Sequence, residues 1–168
     1  MQQILGNIPM DSVEGLDGHD VAILAVLQED ADLPVAQVAE RVHLSPNACW
    51  RRIKRLEEDG FISRRVALLD PRKLRAGVTV FVTLKATEHS EDWAESLTAA
   101  VRKTPEVVEL YRMSGSADYL LKILVEDIAA YDRVYKRLSR AVRLTDVNSA
   151  FAVEEIKRTT SIPLPGRG

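Results

Sequence analysis

Asn47, Arg51, Arg52, Lys54 and Arg55 crowd one short stretch of the chain, four cations beside a polar amide. Arginine can grip guanine through two hydrogen bonds and asparagine can do the same with adenine, while further cations suit phosphate oxygens. Between them, Cys49, Ile53 and Leu56 recur at helical spacing as an inward stripe, so residues 44–60 predict one helix with a polar outer face. Both of its ends are written in the sequence. Ser45 can cap the first turn, Pro46 loses nothing at the first helical position, and Gly60 can take the left-handed terminal conformation with Phe61 beyond it. A run of charge on a helix is most often a solvated face. The elements before it decide otherwise.

Asp17 predicts the start of a first helix. Asp20 completes an acidic capping box, Leu16 can staple onto Val21, and Ile23, Leu24 and Leu27 form the buried stripe. A short second helix is expected over 34–42, with Val35, Val38, Ala39 and Val42 at helical spacing. Only His43 and Leu44 separate it from the cap at Ser45. Two short helices joined so tightly, the second one basic, make a helix-turn-helix. His43 takes the turn place where glycine is usual, and it tolerates a positive φ better than branched residues do.

The composition bounds the rest. The 168 residues carry a net charge of -2, so any contact with nucleic acid must come from a local patch; Arg64 and Arg65 extend the one at Arg51–Arg55. The single cysteine permits no intrachain disulfide and suggests a reducing compartment. No basic, then apolar leader opens the chain and no segment approaches a membrane span, so a soluble cytoplasmic protein with no membrane partner is expected. Residues 1–15 lack periodicity and read as a flexible N-terminal arm. Residues 16–60 form the helix-turn-helix domain, and 61–77 an extended linker closing on Asp70-Pro71 and Gly77.

From Val78 the period changes. Val78, Val80, Val82 and Leu84 alternate with Thr79, Phe81, Thr83 and Lys85, which predicts a strand over 78–87. A helix over 90–103 follows, then strands over 107–113 and 118–125 around a turn at residues 114–117. A helix from Asp127 to about Leu138 carries Ile128, Tyr131, Val134, Tyr135 and Leu138 inward, and a last strand is expected over 147–157. This βαββαβ order is the ferredoxin-like arrangement, making the chain α+β, with a second domain at 78–158 and a Pro/Gly tail at 159–168. Helices cover one sheet face only. A second copy of the sheet is the simplest cover for the other, giving a symmetric dimer that presents two recognition helices to a duplex.

These residues also resemble a known family over about 16–164. The matching pieces are Leu16-Asp17-Gly18-His19-Asp20, residues 38–46, residues 52–62, Ala67-Leu68-Leu69-Asp70-Pro71 and residues 114–121. Together and in this order they are similar to the Lrp/AsnC ("feast or famine") transcription regulators. The resemblance implies an N-terminal winged helix-turn-helix that binds double-stranded promoter DNA, and a C-terminal domain that senses an amino acid. It implies dimers that often assemble into octamers, no cofactor beyond the effector, and a ligand between subunits by the loop at residues 114–118. The effector residues carried over are Met113, Ser114, Gly115, Ser116, Asp118 and Tyr119, with Ser149. The loop of the family usually has an acid directly after its glycine; here Ser116 stands in that place, while Asp118 is kept. An α-amino acid needs a carboxylate for its ammonium and backbone N–H groups for its own carboxylate, and Asp118 with the Gly115 turn can supply both. Residues 49–57, 89–93 and 111–113 look like the subgroup that activates a cysteine-detoxification operon in response to L-cysteine.

Several signals point elsewhere and are weaker. Cys49 reads as core rather than redox sensor, and Trp93, Tyr131 and Tyr135 as core. His19, His43 and His89 share no metal-ligand spacing. Siroheme decarboxylase subunits resemble the same two-domain family and are the alternative, but that chemistry would not require the basic helix. An amino-acid-binding module regulating an enzyme would leave the helix-turn-helix unexplained. The residues expected on DNA are therefore Asn47, Arg51 and Lys54 in the major groove, Arg52, Arg55, Arg64 and Arg65 on phosphates, with Ser45 and Trp50 flanking.

Overall fold

The computed structural model describes residues 15–86 and 90–165. All but Gly15 of the expected arm, Thr87 of the first expected strand, His89 and the last three residues of the tail lie outside them. The described residues form two compact units, one from residues up to 67 together with those from 157 on, the other within 68–156.

The first unit is three helices: α1 (Gly18–Glu29), α2 (Val35–Arg41) and α3 (Pro46–Glu58). The expected capping box closes α1: Asp17 accepts from the Asp20 amide and Asp20 from the Asp17 amide, both at 3.0 Å. Ser45 caps α3, its hydroxyl accepting from the Ala48 amide at 3.3 Å. His43 makes the turn between α2 and α3 at φ 56° and Gly60 ends α3 at φ 80°. Beyond Gly60 the chain folds back, the Ile62 amide donating to the Leu56 carbonyl at 3.0 Å. Ile23, Val38, Ala39, Cys49, Ile53 and Leu56 close the core between the three helices.

After α3, residues 63–70 take no regular secondary structure and pair with no strand among the described residues. In the expected Pro/Gly tail, the Ile162 amide donates to Gln28 Oε1 of α1 at 3.1 Å, within the helical unit.

The second unit has the expected order: β1 (Val78–Ala86), α4 (Glu91–Arg102), β2 (Val107–Arg112), β3 (Tyr119–Val125), α5 (Ile128–Ala141) and β4 (Leu144–Phe151). The strands lie in the order β2-β3-β1-β4, every neighbouring pair antiparallel. Val80, Val82, Leu84, Leu121 and Ile123 are buried with Trp93 and Leu97 of α4 and Val134 and Leu138 of α5. Two expectations need correction. β4 runs over 144–151 rather than 147–157: its pairing with β1 reaches Leu144 opposite Ala86 across a register shift between Thr83 and Lys85, and at the other end the Ala152 amide donates to the Thr79 carbonyl at 2.9 Å, beside the start of β1. On α5, Ile128 and Tyr135 stand 70% and 37% exposed, since they fall on the flank of the Val134–Leu138 stripe.

Candidate nucleic-acid interface and effector loop

Around α3, at 100° per residue, the buried stripe Cys49–Ile53–Leu56 faces one way. Asn47, Arg51, Lys54 and Glu58 lie on the opposite side, and all four are exposed. Arg51 makes no ion pair among the described residues, while the Lys54 ammonium is 3.8 Å from Glu57. Trp50, on the flank, leaves half of its surface exposed. Ser45 is engaged as the N-cap.

Arg52 and Arg55 have a different position from the one their charge suggested. Both turn toward the start of α1. Arg52 donates to Asp17 at 2.7 Å and to Asp20 at 2.8 Å, and Arg55 donates to Asp20 at 2.5 Å. Asp20 is fully buried, so its carboxylate leaves water only because two guanidinium groups and the Asp17 amide surround it. Arg65 is likewise engaged, with the Ala31 carbonyl and Glu57, both at 3.1 Å, whereas Arg64 is exposed and has no ion pair among the described residues. The acid–arginine cluster was readable only as a capping box. Its partners lie 32 to 35 residues apart, beyond any local pattern.

The same cluster makes α1 sensitive to acid. The Asp17 carboxyl is lowered from 3.8 to about 2, first by the hydrogen bond from the Asp20 amide, then by the bond from Arg52 and its charge acting against burial. A depressed acid contributes fully above its unfolded value and loses its contribution as pH falls toward the folded one. Thermal melts should therefore lose stability between about pH 4 and pH 2, and an Asp17→Asn variant should lose less over that window; equal losses would leave Asp17 without a part in it. Cys49 is fully buried and its burial pushes the thiol up, which fits a packed, inert group.

In the second unit, residues 113–118 join β2 to β3. Met113 is exposed, and Gly115 sits at φ 139° with nothing near where a Cβ would point. Asp118 ties this loop to the end of β1. Its Oδ2 accepts from the Ala86 amide at 2.8 Å, its amide donates to the Leu84 carbonyl at 2.9 Å, and its carbonyl accepts from the Met113 amide at 2.8 Å. Beside it, Lys85 pairs with Asp146 at 2.8 Å, a neighbour the sequence did not single out, and Asp146 holds a left-handed φ of 51°. Tyr119 opens β3 with its ring 5.5 Å from Trp93. Ser114 and Ser116 are exposed on the loop. Ser149 lies elsewhere. It is paired with Val82, and its hydroxyl bonds to that of Tyr131 on α5, on the helix-covered side of the sheet.

No helix of the described residues is long and apolar enough to cross a membrane, and no group of three acidic, His or Cys side chains among them could hold a metal.

Known proteins place both units. Residues 16–63 match a winged helix-turn-helix DNA-binding model, and residues 79–162 match the Lrp/AsnC ligand binding domain. The chain is 50% identical over 153 residues to a glutamate uptake regulatory protein of Zymomonas mobilis, covering 91% of this chain and 93% of the relative. It is 46% identical to the DNA-binding transcriptional activator DecR of Escherichia coli, covering 89% and 99%. Among solved structures, the regulator NMB0573 of Neisseria meningitidis in complex with L-methionine superposes with a TM-score of 0.84 at 38% identity, covering 88% of this chain and 96% of that one. These relatives are regulators, not enzymes, which removes the decarboxylase alternative. The chain belongs to the Lrp/AsnC family and is a DNA-binding transcriptional regulator of that type.

Proposed function

We propose that this regulator reads promoter DNA with Asn47, Arg51 and Lys54, and adjusts its binding to a small amino acid held at the loop of residues 113–119. The observation that carries the reading is the division of labour on α3. Arg52 and Arg55 are tied to Asp20 and fix the helix on α1, which leaves the opposite, exposed side to the duplex. Arg64 joins it as a phosphate contact, and Arg52 and Arg55 become positioning residues with their outer edges toward the backbone. The genes controlled belong to amino-acid metabolism, and the protein acts in the cytoplasm.

A homodimer, or a larger even assembly such as an octamer, presents two such helices. The sheet face away from α4 and α5 supports this, because Phe81, Leu120, Leu124 and Tyr111 share it and Phe81 and Tyr111 stand 39% and 50% exposed. The L-methionine complex of the Neisseria regulator supports an amino-acid effector, and the subgroup wording makes L-cysteine the first one to try.

The test is fluorescence anisotropy on duplex DNA from upstream of the protein's own gene, against scrambled DNA, at two salt concentrations and with a panel of amino acids. Selective binding that shifts with one of them is expected. Arg51→Ala should weaken the specific duplex by about 1–3 kcal/mol and narrow its advantage over scrambled DNA. Equal weakening of both duplexes would make Arg51 a phosphate contact, and no change would take α3 out of the reading role.

A further inference from the structure

Helix α5 carries a second cluster of cations that the helix-turn-helix does not use. Arg133, Lys136, Arg137 and Arg140 recur at three- and four-residue spacing, all exposed, on a flank away from the buried Val134 and Leu138. With Ala141 they line a surface groove of about 570 Å³. Two acids lie against it. Asp132 accepts from Lys136 at 2.6 Å and Glu106 from Arg137 at 2.7 Å, while Arg133 and Arg140 make no ion pair among the described residues. The flank therefore keeps an excess of positive charge on a chain whose net charge is -2. The neighbouring acid registers that field: burial pushes the Glu106 carboxyl up, yet the bond from Arg137 and the charges of Arg137 and Arg133 hold it below its ordinary value.

Opposite charges at i,i+4 stabilise a solvated helix, as Asp132 and Lys136 do on this one, and like charges at that spacing repel. Here one sign accumulates along a line. At about 1.5 Å of rise per residue, Arg133 and Arg140 stand ~10 Å apart, which matches about three phosphate-to-phosphate steps at the ~3.4 Å axial spacing of one DNA strand. A polyanion is the complementary partner, and this regulator already has one.

We propose that the basic flank of α5 holds the phosphate backbone of DNA, so that the C-terminal unit adds a sequence-independent contact to the complex. The inference rests on the DNA-binding reading above. In the full-length protein, Arg133→Gln and Arg140→Gln together remove the two charges that make no ion pair among the described residues, while keeping a polar side chain on part of the same aliphatic stem. On duplexes of about 60 base pairs, the slope of log affinity against log salt should flatten by about 2, at ~0.9 per lost phosphate contact. Operator and scrambled duplexes should weaken together, about tenfold, with their ratio and the melting temperature unchanged. Coincident salt slopes for variant and wild type would overturn the contact. So would a flatter slope accompanied by a smaller assembly in sedimentation, since the face would then join copies of the chain. A wild-type protein that binds no DNA would instead overturn the DNA reading itself, and this contact with it.

Discussion

Replacing Asp20 with alanine is expected to destabilise the helical unit by about 3 kcal/mol, roughly 15 °C in its melting temperature for a unit of this size. The carboxylate is fully buried and accepts from the Asp17 amide, Arg52 and Arg55. Hydrogen bonds to charged groups contribute about 1.5–3 kcal/mol each, and losing one half of a capping box costs about 1 kcal/mol more. Two effects pull the sum down. Removing the acid also removes its own desolvation cost, and the side chains of Arg52 and Arg55 are 28% and 45% exposed, so water can take them back. The opposing effects leave the loss at the lower end of the range of about 3–5 kcal/mol for a broken buried pair.

The same substitution should weaken DNA binding, because the cluster ties α3 to α1 and sets the direction in which Arg51 and Lys54 point. Asp20→Asn separates the two roles. It keeps an acceptor for the Asp17 amide but gives up the charge, so it should fall between wild type and alanine in a urea melt followed by circular dichroism. A loss below 1 kcal/mol for the alanine variant would mean the cluster behaves as an ordinary surface pair.

What could be read in advance divides along a physical line. Short-range signals were legible: Asp17 and Asp20 as a capping box, Ser45-Pro46 as a helix start, His43 and Gly60 at positive φ, the alternation of β1. Each depends on residues within a turn or a strand pair of one another. The bonds of Arg52 and Arg55 to Asp20 were not legible, because a cation reads the same for a phosphate as for a buried acid. Only the packing of α1 against α3 distinguishes them. The end of β4 was overrun for a related reason. Val153 and Ile156 continue an apolar pattern, yet a strand also needs a neighbour, and at 102% and 89% exposure these side chains have none within the described chain. Ser149 came from family likeness, and its place opposite Val82, bonded to Tyr131, puts it about two residues up the sheet from Leu84, where Asp118 attaches.

Asp118→Asn should abolish the response to the amino acid while leaving DNA binding and folding intact. On the effector reading proposed above, the side chain has two tasks that this substitution separates. One is mechanical: Oδ2 accepts from the Ala86 amide and holds the loop of residues 113–118 against the end of β1. An asparagine can keep that bond through its amide oxygen. The other task is electrostatic, since the ammonium of an α-amino acid needs a full negative charge, and leaving it unpaired costs about 2 kcal/mol or more, a loss of ~30-fold in affinity. Lys85, already paired with Asp146, stands near enough to raise its own ionisation through both acids, so the local charge balance also shifts when Asp118 is neutralised. Asp118→Ala removes both tasks and should add a loss of stability from the orphaned Ala86 amide, about 1–3 kcal/mol. Titrating each variant with L-cysteine, L-methionine and L-glutamate on operator DNA distinguishes the possibilities. A response lost in both variants, with only the alanine form melting lower, gives Asp118 the ligand and the pin together. A response kept in the asparagine form leaves it the pin alone.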